Sequence, residues 1–149
     1  LLLREGLLAC QALGVGNNMS RKGYDVEKNL MDVDGATQAL RQFADERDWQ
    51  PFHSPKNLVM ALSGEVGELT EIFQWMTEAD SHTAASAPQT AKAVRDELAD
   101  VTLYLIRLAD VLGVDLNAAI ASKLAANAVK YPVETSRGTS TKYDQLPQS

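Results

Sequence analysis

The 149-residue chain is 45% hydrophobic and 23% charged, enough apolar content for one domain with a real core. Its 20 acidic and 14 basic residues leave a formal net charge of −6, which argues against a nucleic-acid-coating protein, because that role leaves a basic footprint. The single cysteine, Cys10, excludes an internal disulfide framework and suits a reducing compartment, so the expected location is the cytoplasm; no uncharged apolar run approaches the roughly 20 residues that span a bilayer.

Residues 1–32 carry Gly-Val-Gly-Asn-Asn and Ser-Arg-Lys-Gly without a sustained period and read as an N-terminal appendage. Leu1 to Val15 is interrupted by Arg4, Glu5, Gln11 and Gly14 and makes a poor signal peptide; Met19 and Met31 are candidate natural starts. From Asp34 as N-cap, Ala36, Ala39, Leu40, Phe43, Ala44 and Arg47 predict a first helix that ends near Asp48 or Trp49. Ser54-Pro55 supplies a cap and a proline at the first helical position, opening a second helix that reaches Glu78. Ser81 to Thr90, with Pro88, reads as a flexible connection. A third helix runs from Ala91 to Leu112 and stops at Gly113, a C′ residue. Asp115 caps a fourth, Leu116 to Lys130, which Tyr131-Pro132 ends because proline disfavours helical geometry in the residue before it. Residues 133–149 read as a C-terminal arm or tail. With no strand-like alternation, the expected architecture is all-α, a four-helix-bundle-like domain over residues 33–132.

Two acidic pairs stand out inside these helices: Glu65/Glu68 and Glu97/Asp100, each spaced i,i+3. A helix turns about 100° per residue, so each pair projects two carboxylates from one face. In the second helix Leu58, Leu62, Leu69, Ile72 and Met76 follow a buried stripe, and the position that completes it is Glu65. Glu68 falls at the border of that stripe and Glu71 on the solvated far side. In the third helix Val94, Leu98, Val101, Leu105, Leu108 and Leu112 form the expected seam, with Glu97, Asp100 and Tyr104 on its flank. Burying an ionised carboxylate without a partner costs several kcal/mol or more. A shared metal ion compensates for that cost.

Carboxylate oxygens suit Mg²⁺, Mn²⁺ or Ca²⁺, whereas structural zinc favours Cys and His. His53 and His82 do not form the Glu-x-x-His signature of di-iron bundles, which leaves Mg²⁺ as the favoured ion and Mn²⁺ as its substitute. Mg²⁺ keeps open positions for substrate phosphates, which points to phosphate chemistry. The blander reading of a lone Glu-x-x-Glu is a solvated helix face, and it weakens when two pairs lie on successive long helices. On the fourth helix Lys123, Asn127 and Lys130 form a polar stripe that is either solvated or binds phosphate. Trp49 and Trp75 lie at helix borders, with His53 near Trp49, and are either base platforms or packing and subunit contacts.

Taken in order, Phe43-Ala44-Asp45-Glu46-Arg47-Asp48-Trp49, Phe52-His53-Ser54-Pro55-Lys56-Asn57-Leu58, Glu65-Val66-Gly67-Glu68-Leu69, Phe73-Gln74-Trp75, Asp96-Glu97-Leu98-Ala99-Asp100-Val101 and Lys130-Tyr131-Pro132 resemble the all-α nucleoside triphosphate pyrophosphohydrolases of the MazG superfamily. Within it the likeness is to the dCTP pyrophosphatase-like branch, over residues 36–145. The resemblance implies hydrolysis between the α and β phosphorus atoms of a (deoxy)nucleoside triphosphate, dCTP-like or modified, with no membrane or nucleic-acid polymer as partner. It implies Mg²⁺ held by Glu65, Glu68, Glu97 and Asp100, with Glu65 or Glu68 as the base on the attacking water. It implies that Trp49, Trp75 and Tyr104 line the base and sugar region, that His53 and Lys56 join the substrate-binding set, and that Lys123, Asn127 and Lys130 serve the phosphates. It also implies a homo-oligomer, a tetramer or a dimer. Leu40 departs from the branch, where a histidine can stand near the base. Two alternatives remain at this point: a non-enzymatic helical oligomerisation or regulatory module, and a phosphoribosyl-ATP pyrophosphatase-type enzyme.

Overall fold

The computed structural model describes residues 32–145. Cys10, the appendage through residue 31 and the last four residues lie outside the described residues. The regular elements are α1 (Val33–Asp45), α2 (Pro55–Phe73), α3 (Glu78–Ser81), α4 (Ala91–Leu112), α5 (Leu116–Lys130) and α6 (Val133–Ser136), with 3₁₀ turns at Gln50–Phe52 and Tyr143–Gln145. Among the described residues no strand occurs, and the all-α expectation is borne out. These elements fall into two compact units, Val33–Val114 and the segment from Asp115 on.

Helix ends follow local chemistry closely, with three corrections. α1 starts at Val33, so Asp34 lies in its first turn and favours the positive end of the helix dipole instead of capping it. It also ends at Asp45, short of the expected Asp48 or Trp49. Asp48 adopts a left-handed φ of 51°. The Trp49 N–H then donates to Ala44 O at 3.0 Å and the Asp48 N–H to Asp45 O at 3.2 Å, a Schellman pair that closes the helix. A residue with a side chain is strained there by roughly 1 kcal/mol. Asp48→Gly is therefore expected to raise stability by about 0.5–1 kcal/mol in urea unfolding, an effect that proline or alanine would not reproduce.

α2 begins as expected, with Ser54 Oγ accepting from the Asn57 N–H at 3.3 Å and Pro55 at the first position. It ends at Phe73 rather than Glu78. Thr77 starts a separate helix there, accepting from the Asp80 N–H at 3.1 Å while its hydroxyl donates to the Asp80 carboxylate at 2.7 Å. This reciprocal cap was legible as Thr-x-x-Asp. The connection from 82 to 90 is a series of turns pinned by buried Ala84, whose carbonyl accepts from Thr90 Oγ1 at 2.6 Å. Gly113 closes α4 at φ 66°, and Asp115 Oδ1 accepts from the Ala118 N–H at 2.9 Å at the start of α5, both as expected.

In the first unit α4 packs against both α2 and α1. His53, just ahead of α2, meets Arg107 late in α4, whereas Glu68 late in α2 meets Glu97 early in α4. The two helices therefore run antiparallel. Leu58 and Glu65 lie in the buried stripe of α2, as the spacing requires. The expected seam of α4 needs correction: Leu98, Leu105 and Leu112 are 50%, 43% and 54% exposed. Val94 is buried as expected, but the rest of the burial falls on Glu97, Tyr104, Ile106 and Ala109. Apolar residues surround most of α4, so its periodicity alone does not choose the face that meets a neighbour.

Candidate metal centre and nucleotide site

Antiparallel packing turns two i,i+3 spacings into one constellation. Glu65 and Glu68 from α2 and Glu97 from α4 each offer a carboxylate oxygen, and these oxygens all lie within 4.8 Å of one another. Glu65 and Glu97 are buried and Glu68 is half-buried. Trans oxygens on an octahedral Mg²⁺ stand about 4.2 Å apart, and on Ca²⁺ somewhat further, so the group is of cation size and needs only rotamer-scale adjustment. The donors are all hard oxygens and carry three formal negative charges in a small volume, which fits a hard divalent ion and not structural zinc. Asp100 is half-buried one turn further along α4 and stands outside this three-residue group.

Tyr104 is buried beside the acids. Burial, and then the charges of Glu65 and Asp100, push its hydroxyl above the ordinary phenol range, so it stays protonated and can donate. Trp49 is half-buried in the connector between α1 and α2. Its ring meets Phe43 edge-on at 5.6 Å and His53 at 6.2 Å. Lys56 is exposed at the start of α2. Trp75 sits in the turn after α2 and is 88% exposed, with its indole face open to a ligand or partner. In the second unit Lys123 and Lys130 are exposed and Asn127 is half-buried, and Lys130 Nζ stands 5.1 Å over the Tyr143 ring. His82, given no role from the sequence, caps the C-terminal end of α3.

A charged cluster that sequence reasoning passed over joins α1, α4 and the His53 turn. Asp110 accepts from Arg41 Nε at 3.0 Å and from Arg107 Nη1 at 2.6 Å, while Arg107 Nε donates to His53 Nδ1 at 3.2 Å. The Arg41 hydrogen bond, aided by the charges of both arginines, holds the Asp110 carboxyl below the usual carboxylate range against the opposing effect of burial. Burial and then the Arg107 charge hold His53 below the usual imidazole range, so it is neutral at pH 7. The available signal was Arg107 and Asp110 standing i,i+3 in an otherwise apolar stretch of α4.

Residues 60–146 match the model of the MazG-like family. The chain belongs to that family. Among curated MazG-like relatives, it is 49% identical over 107 residues to dCTP pyrophosphatase 1 of Rattus norvegicus, covering 72% of this chain and 63% of the relative. It is 46% identical over 127 residues to dCTP pyrophosphatase 1 of Homo sapiens, covering 85% and 73%. The chain thus spans just under two-thirds of the length of the rat and mouse relatives, at 63% of each. A pyrophosphatase from Archaeoglobus fulgidus, known as a crystal structure, superposes with a TM-score of 0.60 at 34% identity, covering 77% of this chain and 99% of that one.

Proposed function

We propose that the chain is a divalent-metal-dependent nucleoside triphosphate pyrophosphohydrolase, with residues 33–132 as its enzymatic domain. It would convert a dCTP-like or modified deoxynucleoside triphosphate to the monophosphate and pyrophosphate, clearing unwanted nucleotides from the cellular pool. The observation that carries this reading is the cation-sized grouping of Glu65, Glu68 and Glu97 in a MazG-like chain. Two dCTP pyrophosphatase relatives at 46–49% identity support the substrate class.

Glu65, Glu68, Glu97 and Asp100 would hold Mg²⁺, or Mn²⁺ in its place. When bound, the metal neutralises phosphate oxygens and stabilises the charge of the departing pyrophosphate. Glu65 or Glu68 accepts a proton from the attacking water, because its place in or beside the buried stripe fixes the carboxylate rigidly. Trp49, Trp75 and Tyr104 would take the base and sugar, His53 and Lys56 would join the substrate-binding set, and Lys123, Asn127 and Lys130 would bind phosphate oxygens. Tyr104, kept protonated by its surroundings, can donate to a substrate oxygen.

A homo-oligomer accompanies this reading. Val59 and Val66 on α2 and Leu98 and Leu105 on α4 are between 43% and 50% exposed in the single chain, and burial in a partner removes that apolar surface from water. Among the described residues no helix is long and apolar enough to cross a membrane. A cytoplasmic site of action fits the reducing environment that a lone cysteine suits.

The test is a pyrophosphate-release screen across standard and modified nucleoside triphosphates, with Mg²⁺ and with Mn²⁺. Release of equal amounts of monophosphate and pyrophosphate, best with a cytosine-type base, is the expected result. No release from any triphosphate with either metal overturns the proposal and favours a non-enzymatic module. A strong preference for phosphoribosyl-ATP moves the enzyme to that related reaction.

A further inference from the structure

Arg107 divides its guanidinium between two partners. Nη1 donates to Asp110 Oδ2 at 2.6 Å and Nε donates to His53 Nδ1 at 3.2 Å. Asp110 is in turn held by Arg41 from α1. The Arg107 and Asp110 side chains are only 11% and 6% exposed. Ions at this depth lose hydration, and apolar residues of similar volume would hold the helices together as well or better. Their distinguishing consequence is geometric. Arginine's rigid fork supplies two donors in fixed directions, which lysine's single ammonium does not reproduce.

The bond to His53 has a chemical corollary. A guanidinium only donates, so Nδ1 must present its lone pair, and the neutral ring carries its proton on Nε2. The His53 ring, fixed in this way, meets Trp49 edge-on at 71°. Trp49 is braced on another side by Phe43 at 75°, and Phe43 itself carries the Arg47 guanidinium 3.6 Å from its ring centroid. The Trp49 backbone is pinned by its N–H on Ala44 O and by its carbonyl, which accepts from the Phe52 N–H, so what its ring contacts add is the direction of the indole. We infer that Arg107 is a positioning residue for nucleotide binding, acting through His53 to hold the Trp49 indole where a base can stack on it. This rests on the proposed function, specifically on Trp49 as a base contact.

Arg107→Met, Arg107→Lys, Trp49→Ala and the Arg107→Met/Trp49→Ala double variant, all in the full chain, test the inference. Circular dichroism and thermal midpoints verify folding, and Asp110 keeps Arg41 as its partner in both Arg107 variants. In ligand-free wild type, ¹⁵N NMR of the histidines is expected to show His53 Nδ1 unprotonated, with that preference lost in Arg107→Met. In pyrophosphate release, Arg107→Met is expected to raise KM about tenfold while kcat stays within about twofold, the mark of lost binding rather than lost chemistry. Arg107→Lys should behave like Arg107→Met, because charge without the fork does not restore both bonds. The double variant should be no worse than Trp49→Ala, because both changes act through one indole.

A protonated Nδ1 in wild type overturns the inference, as does a kcat loss equal to the KM rise, or full multiplication of the two single effects. If wild type releases no pyrophosphate, the same four proteins are titrated calorimetrically with a non-hydrolysable dCTP analogue and Mg²⁺. The expected pattern then appears in Kd, and the inference survives the loss of the proposed activity. Failure of wild type to bind that analogue overturns it.

Discussion

Glu68→Gln is expected to reduce pyrophosphate release roughly a thousandfold, about 4 kcal/mol of transition-state stabilisation, while leaving helix content intact. Glu68 is half-buried on the face of α2 that meets Glu97, so glutamine fits the same space and preserves the packing. What it removes is one of three formal charges in the cation-sized group. Asp100→Asn, one turn along α4, is expected to lower activity in the same direction. Metal binding separates lost ligation from lost folding. Mg²⁺ should raise the thermal midpoint of wild type and do so much less for Glu68→Gln, because a ligand stabilises only the state that binds it. Full activity in both variants, or an equal Mg²⁺ shift in Glu68→Gln and wild type, would remove the metal-centre argument.

Asp110→Asn is expected to cost about 3 kcal/mol of stability in denaturant unfolding. Its carboxylate is the shared counter-ion of Arg41 and Arg107, and removing one partner of a buried pair typically costs 3–5 kcal/mol. The lower end applies because Arg41 is 59% exposed and recovers solvation. The acid limb carries the same signature. The folded-state pKa of Asp110 lies below its ordinary 3.8, so its contribution is complete above pH 3.8 and is lost as pH falls through the lower folded value. Asp110→Asn should flatten that part of the stability profile. His53 adds a smaller feature of the same sign: with its folded pKa below 6.5, stability declines as pH falls below 6.5 toward that value. A cost under about 0.5 kcal/mol for Asp110→Asn would mean that the pair is solvated like an ordinary surface bridge.

The helices were legible because their signals are local. Ser54-Pro55, Gly113 and Asp115 act within one turn of chain, and each terminates or starts a helix where the residue type demands it. The misplaced ends were also local, but less familiar: Asp48 takes the left-handed position usually given to glycine, and Thr77 with Asp80 opens a helix too short to show periodicity. Glu65 was legible as a buried acid because it interrupts an apolar series whose other members point one way. The Arg41–Asp110–Arg107–His53 network was not, since its partners come from three separate stretches and no spacing joins them.

By itself the sequence determined the all-α class, the capped ends of α2 and α4, and the projection of two acids from one face of each helix, because these depend on residue type and a 100° turn. Only the tertiary structure decided which face of α4 meets α2. That choice buries Glu97 and Tyr104 and leaves Leu98 and Leu105 exposed. The physical reason is that α4 is apolar around most of its circumference, so several orientations satisfy its own pattern. Selection among them comes from side chains on α1 and α2, far away in the chain, and it is this selection that gathers three carboxylates into one group.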